Sequence, residues 1–102
     1  MSILRGTTPT ITLVLPENVN LSGASAAYLS FGQMGEEKFS IPLAQLTLAA
    51  NACTATLTQE QTLGLSSNSQ TKIQLRWVKS GVAYGTKSIS VPTEAIIKEG
   101  VI

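Results

Sequence analysis

Thr71-Lys72-Ile73-Gln74-Leu75-Arg76-Trp77-Val78 alternates without a break, with Thr71, Ile73, Leu75 and Trp77 on one side and Lys72, Gln74, Arg76 and Val78 on the other. A period of two sustained this long marks a strand with one buried face. Ser80-Gly81 follows and predicts a tight turn, so Val82 to Val91 is expected to return as the antiparallel partner. Gly85 falls inside that partner, where glycine marks a bulge or a close approach of backbone. Pro92 ends it. Beyond it, Thr93 to Lys98 reads as one helical turn capped by Thr93.

The same period appears upstream. Thr10 to Leu15 is expected to be a strand with Ile11, Leu13 and Leu15 inward, stopped by Pro16. Glu17 to Ser25 is rich in Asn, Ser and Gly and reads as a loop. Ala26 to Gln33 is a strand with Ala27, Leu29 and Phe31 inward, turning at Gln33-Met34-Gly35-Glu36. Lys38 to Leu43 is a strand with Phe39, Ile41 and Leu43 inward, and Pro42 puts it at a sheet edge because proline lacks the ladder donor. Gln45 to Ala49 is a short strand or extended turn. Cys53 to Thr58 is a strand with Cys53, Ala55 and Leu57 on one face. Thr58 and Gln61 then stand in capping-box spacing, which predicts a helical turn over Gln59 to Leu63, ended by Gly64, with Leu63 and Leu65 folding back on the core.

Seven short strands at near-regular spacing, with one helical turn before the penultimate strand, predict an all-β fold. The best match is an immunoglobulin-like β-sandwich of antiparallel strands filling residues 1–102 as a single domain. The antibody-type Cys-Trp-Cys set is missing, so that kinship is one of architecture. An OB-type barrel is the competing fold, and it normally sets more aromatic and basic residues on a binding face than this chain holds. The 102 residues leave no room for a second core.

Composition narrows the chemistry. The chain has no histidine, no aspartate, one cysteine and six glutamates, against 23 serines and threonines. Ser-His-Asp and Cys-His machinery, histidine-containing zinc sites and an internal disulfide are all excluded. A formal charge of +1, with scattered basic residues, offers nothing to nucleic acid or an anionic membrane surface. No apolar run reaches spanning length, and the first residues carry no signal-peptide pattern. The single cysteine suits synthesis in a reducing cytoplasm. Dinucleotide and P-loop glycine motifs are absent.

Individual residues read modestly. Glu36 and Glu37 are adjacent at a turn and diverge, whereas paired acids must converge across a cleft. Glu60, Glu94 and Glu99 read as caps or surface groups. Cys53, on an apolar strand face, reads as a small core hydrophobe. Trp77 is expected in the core, with a sugar-stacking platform as the alternative. Tyr28 and Tyr84 are expected opposite the apolar stripes, partly exposed and open to a partner. Gln74, Arg76 and Val78 are expected to share a sheet face with Tyr84, Thr86 and Ser88. No catalytic, cofactor-binding or metal-ligating residue is expected.

One resemblance runs through the chain. Arg5-Gly6-Thr7-Thr8-Pro9-Thr10 leading into Ile11-Thr12-Leu13, then Leu57-Thr58-Gln59-Glu60-Gln61-Thr62-Leu63, Ile73-Gln74-Leu75-Arg76, Ser88-Ile89-Ser90-Val91 and Lys98-Glu99-Gly100-Val101-Ile102 resemble, in order, small proteins from phages and prophages of Gram-positive bacteria. The small-sandwich character is similar to that of N-terminal domains of phage upper-baseplate proteins. The resemblance implies a non-enzymatic structural or assembly protein of the tail or baseplate. Such a protein would be made in the host cytoplasm and then incorporated into the virion, with other phage structural proteins or further copies of itself as partners. The expected contact residues are Arg5, Thr7 and Thr8 in an N-terminal arm (1–9), Tyr84, and Ile97, Val101 and Ile102 in an apolar C-terminal tail (93–102). A small carbohydrate- or cell-wall-binding module is the rival function.

Overall fold

The strand that decides the class lies inside the larger sheet, and its hairpin partner ends it. The computed structural model describes residues 2–102. The strands among them are β1 (Ile3–Leu4), β2 (Thr10–Val14), β3 (Ala26–Gln33), β4 (Glu36–Pro42), β5 (Thr47–Leu48), β6 (Ala52–Thr56), β7 (Thr71–Lys79), β8 (Val82–Gly85), β9 (Ile89–Val91) and β10 (Thr93–Glu94). A helical turn, α1 (Gln59–Leu63), lies between β6 and β7, and a 3-10 turn spans Leu43–Gln45. The fold is all-β.

The larger sheet runs β4-β3-β7-β8, with β9 also paired to β7, and a second sheet runs β2-β6-β5. Their inner faces meet in one sandwich-like core. Ala27, Leu29, Phe31, Ile41, Ile73, Leu75 and Trp77 come from the first, and Ile11, Leu13, Cys53 and Ala55 from the second. Phe31 and Phe39 stack across β3 and β4 with ring centroids 4.6 Å apart. Burial pushes the Cys53 thiol pKa up, because an apolar pocket disfavours the thiolate. Cys53 is therefore expected to resist thiol reagents in the native protein and to react on unfolding. Because the folded value is the higher one, the thiol's contribution to stability is whole below its ordinary pKa of 9.0. It declines as pH rises from there through the raised value.

β3 spans the expected Ala26 to Gln33, and α1 spans the expected Gln59 to Leu63. The capping box is complete: Gln61 N–H donates to Thr58 Oγ1, and Thr58 N–H donates to Gln61 Oε1. β4 is an edge strand, as Pro42 requires.

Four expectations are corrected. The returning strand does not run unbroken from Val82 to Val91. Four residue steps from Gly85 to Ile89 oppose three from Arg76 to Ile73, so β8 and β9 are separated by a one-residue bulge. Thr86 fills the gap, its N–H donating to Leu75 O and its hydroxyl accepting from Leu75 N–H. Thr93 does not cap a helix. It lies in β10, which pairs in parallel with β1, and its hydroxyl is buried against Thr71 and Gln33. Leu43 lies in the 3-10 turn rather than in a strand, only partly buried. The expected N-terminal arm (1–9) is built into its own domain at Ile3, which is wholly buried and whose N–H donates to Pro92 O. Met1, the arm's first residue, lies outside the described residues.

Candidate functional site

Arg5 follows β1, and two segments converge on its guanidinium. Its Nε donates to Leu65 O at 2.7 Å and its Nη2 to Leu63 O at 2.9 Å. Carbonyls at a helix end lack intrahelical donors, so Arg5 supplies what α1 cannot. Its Nη1 pairs with Glu99 Oε1 at 2.7 Å. The Glu99 carboxylate is mostly exposed, so the ion pair itself contributes little. It brings the Glu99 side chain beside the end of α1. Arg5→Ala strips two partly buried carbonyls of their donors and is expected to cost about 2 kcal/mol, read by urea unfolding. Arg5→Lys should recover little of this, since an ammonium lacks the fork.

Gly6 makes the approach possible. Its φ is +74°, and a Cβ there would stand 2.8 Å from Ile96 Cδ1 and 3.4 Å from Leu63 Cδ2. Ile96 and Leu63 therefore close over the Gly6 backbone. Thr7 O accepts from the buried Thr62 hydroxyl, and the Thr7 hydroxyl donates to Leu4 O. Thr8 is exposed. Further on, the Gln59 side-chain amide acts as a strand backbone would. Its Oε1 accepts from Ile102 N–H at 2.9 Å, and its Nε2 donates to Ile102 O at 3.2 Å.

The C-terminal segment is thus tied down by polar groups and by Ile96, while its other large apolar side chains face outward. Ile97 is fully exposed, and Val101 and Ile102 are largely so. Arg5 and Thr7 are committed to their own domain as positioning groups. Sequence reading missed Gln59, Thr62 and Glu99, since nothing local marks a glutamine as the partner of a residue 43 positions away.

Tyr84 lies elsewhere. The turn residues Ser80 and Gly81 both have positive φ, and the two-residue turn pairs Lys79 with Val82. Counting outward brings Tyr84 opposite Trp77, on the core side, and not beside Arg76 and Val78 as expected. Ala83 and Gly85 occupy those outer positions. The two-residue turn in the sequence already implied this register. Trp77 is 7% exposed and Tyr84 47%, and their rings stack with centroids 5.4 Å apart. An open groove of ≈ 530 Å³ beside them is lined by Asn18, Asn20, Lys79 and Ser80. Tyr28 stands exposed on the outer face of the larger sheet, among Ala26, Ser30, Ser40 and Ala83.

Among the described residues, no three acidic, Cys or His side chains come together as a metal site, and no helix is long and apolar enough to cross a membrane. No family model, curated protein or solved structure matches the chain.

Proposed function

We propose that the chain is a non-enzymatic structural or assembly module of a phage particle, of the tail or baseplate type, working through protein–protein contact. The observation that carries this is the C-terminal segment. Gln59 holds the Ile102 backbone and Arg5 the Glu99 side chain, yet Ile97, Val101 and Ile102 project into solvent. Exposed apolar groups cost about 25 cal/mol per Å² relative to burial, and several of them on one anchored segment suit an interaction surface. The partner is a structural protein of the same particle that covers these side chains. The resemblance of the Arg5–Leu13 and Lys98–Ile102 stretches to phage proteins supplies the setting.

The strand order supports the immunoglobulin-like form of the sandwich. Lettered in that scheme, β2-β6-β5 corresponds to B-E-D and β4-β3-β7-β8 to C′-C-F-G. The test is incorporation into particles. The protein should co-purify with phage tails, and Ile97→Glu with Val101→Glu should abolish this while leaving the fold intact by circular dichroism. Absence from purified particles sinks the reading. The cell-wall-binding alternative rests on Tyr84 over Trp77. It requires saturable binding of cell-wall polysaccharide that Tyr84→Ala removes.

A further inference from the structure

The open sheet edges are treated unequally. β4 carries Glu36, Glu37, Lys38 and Pro42, and it ends its sheet. The opposite edge, β8 with β9, is broken by the bulge beside Lys87. β5, β1 and β10 are two residues each. Charges, proline, bulges and shortness are the standard ways of blocking strand addition. β2 has none of them. It ends the second sheet and reads Thr10-Ile11-Thr12-Leu13-Val14. No charged residue stands between Arg5 and Glu17. Val14 is 71% exposed.

The ladder shows which groups are free. Leu57 N–H donates to Pro9 O, and Leu15 N–H donates to Asn51 O, so the odd-numbered positions bond inward to β6. Alternation then turns the N–H and C=O of Thr10, Thr12 and Val14 away from the sheet.

We propose that β2 pairs with β2 of a second copy of this chain, antiparallel about a two-fold axis at Thr12. A second copy is the occupant that this edge fits. Its three open positions are spaced symmetrically about Thr12. The two-fold sets Thr12 opposite Thr12 and Thr10 opposite Val14, each pair exchanging two backbone bonds. The uncharged edge brings no like charges together. Thr10 and Thr12 already bond to Thr56 and Thr54 on the outer face, so pairing continues a hydroxyl-rich sheet face across both copies. One short strand buries less than the roughly 1,200 Å² of a permanent interface, so the dimer is concentration-dependent. This inference is independent of the particle assignment, because it concerns the purified chain alone.

Sedimentation equilibrium over a wide concentration range, combined with cysteine cross-linking, tests it. Thr12→Cys should form a disulfide dimer under mild oxidation. Opposed positions lie about 5.5 Å apart between Cα atoms, within disulfide reach. Thr56→Cys should not, since the two β6 strands would lie about 14 Å apart. Thr12→Pro removes the backbone donor that faces the second copy, along with the exposed Thr12–Thr54 hydroxyl contact, and should weaken the dimer about thirtyfold. Thr12→Lys, which sets like charges opposite each other, should weaken it about fivefold with the fold intact. A strict monomer with no Thr12→Cys cross-link overturns the proposal. So does a dimer that Thr12→Pro and Thr12→Lys leave unchanged.

Discussion

Trp77→Ala is expected to lower the stability of this protein by about 4 kcal/mol, the range for deleting a large buried aromatic. Trp77 is the last inward residue of β7, and its indole closes the sandwich at the end where β8 begins. Removal loses both the buried area and the ring on which Tyr84 stacks. For a domain of this size the melting midpoint should fall by on the order of 20 °C. Trp77→Phe keeps a ring in place and should cost about a third as much. Urea unfolding followed by near-ultraviolet circular dichroism checks both, since the stacked pair supplies a local signal. A loss below about 1 kcal/mol for Trp77→Ala would mean that this end of the core is not packed as described.

Gln33→Met should cost about 3 kcal/mol although it preserves volume. Gln33 ends the inward stripe of β3 and is 1% exposed. Its Nε2 donates to Ser66 O at 2.8 Å and to Thr71 Oγ1 at 3.1 Å, and its Oε1 accepts from Ser66 N–H at 2.7 Å. The Thr71 hydroxyl in turn bonds to that of Thr93. Methionine fills the space but strands the Ser66 amide and carbonyl, and a buried unpaired group costs about 1–3 kcal/mol. The network also fixes β10, and through it β1. Hydrogen exchange should therefore accelerate at Ile3 and Arg5, whose N–H groups donate to Pro92 O and Glu94 O. Thr93→Val alone should reproduce part of the effect. The double variant should cost less than the sum of the two, because both break one network.

The strand interiors were legible because a half-buried strand writes its orientation into every second residue. Ala27, Leu29, Phe31, Ile73, Leu75 and Trp77 were placed by that rule, and the Thr58–Gln61 box placed α1. The rule failed where a polar residue holds an inward position. Gln33 and Thr71 continue the buried stripes, yet their partners are 22 to 60 residues away. Thr93 misled for the same reason: a threonine before an acidic residue looks like a cap until a buried hydroxyl partner outcompetes that role. Register also escaped alternation: the two-residue turn set Tyr84 opposite Trp77 on the core side, and the bulge between Gly85 and Ile89 returned Ser88 to the Gln74 face on which it was expected.

The chemical absences, the all-β class, the strand interiors and the helical cap follow from the sequence by itself, because each depends on composition or on residues within a few positions of one another. The tertiary structure decided everything that joins distant segments. It set the parallel pairing of β1 with β10, the Arg5 clamp on Leu63, Leu65 and Glu99, and the Gln59 hold on Ile102. Among the described residues, it also left β2 as the one edge of more than two residues without a block. Those features depend on which buried polar groups find partners across the core. A donor without a partner costs as much as a poorly packed side chain, but unlike apolar periodicity it leaves no local trace in the chain.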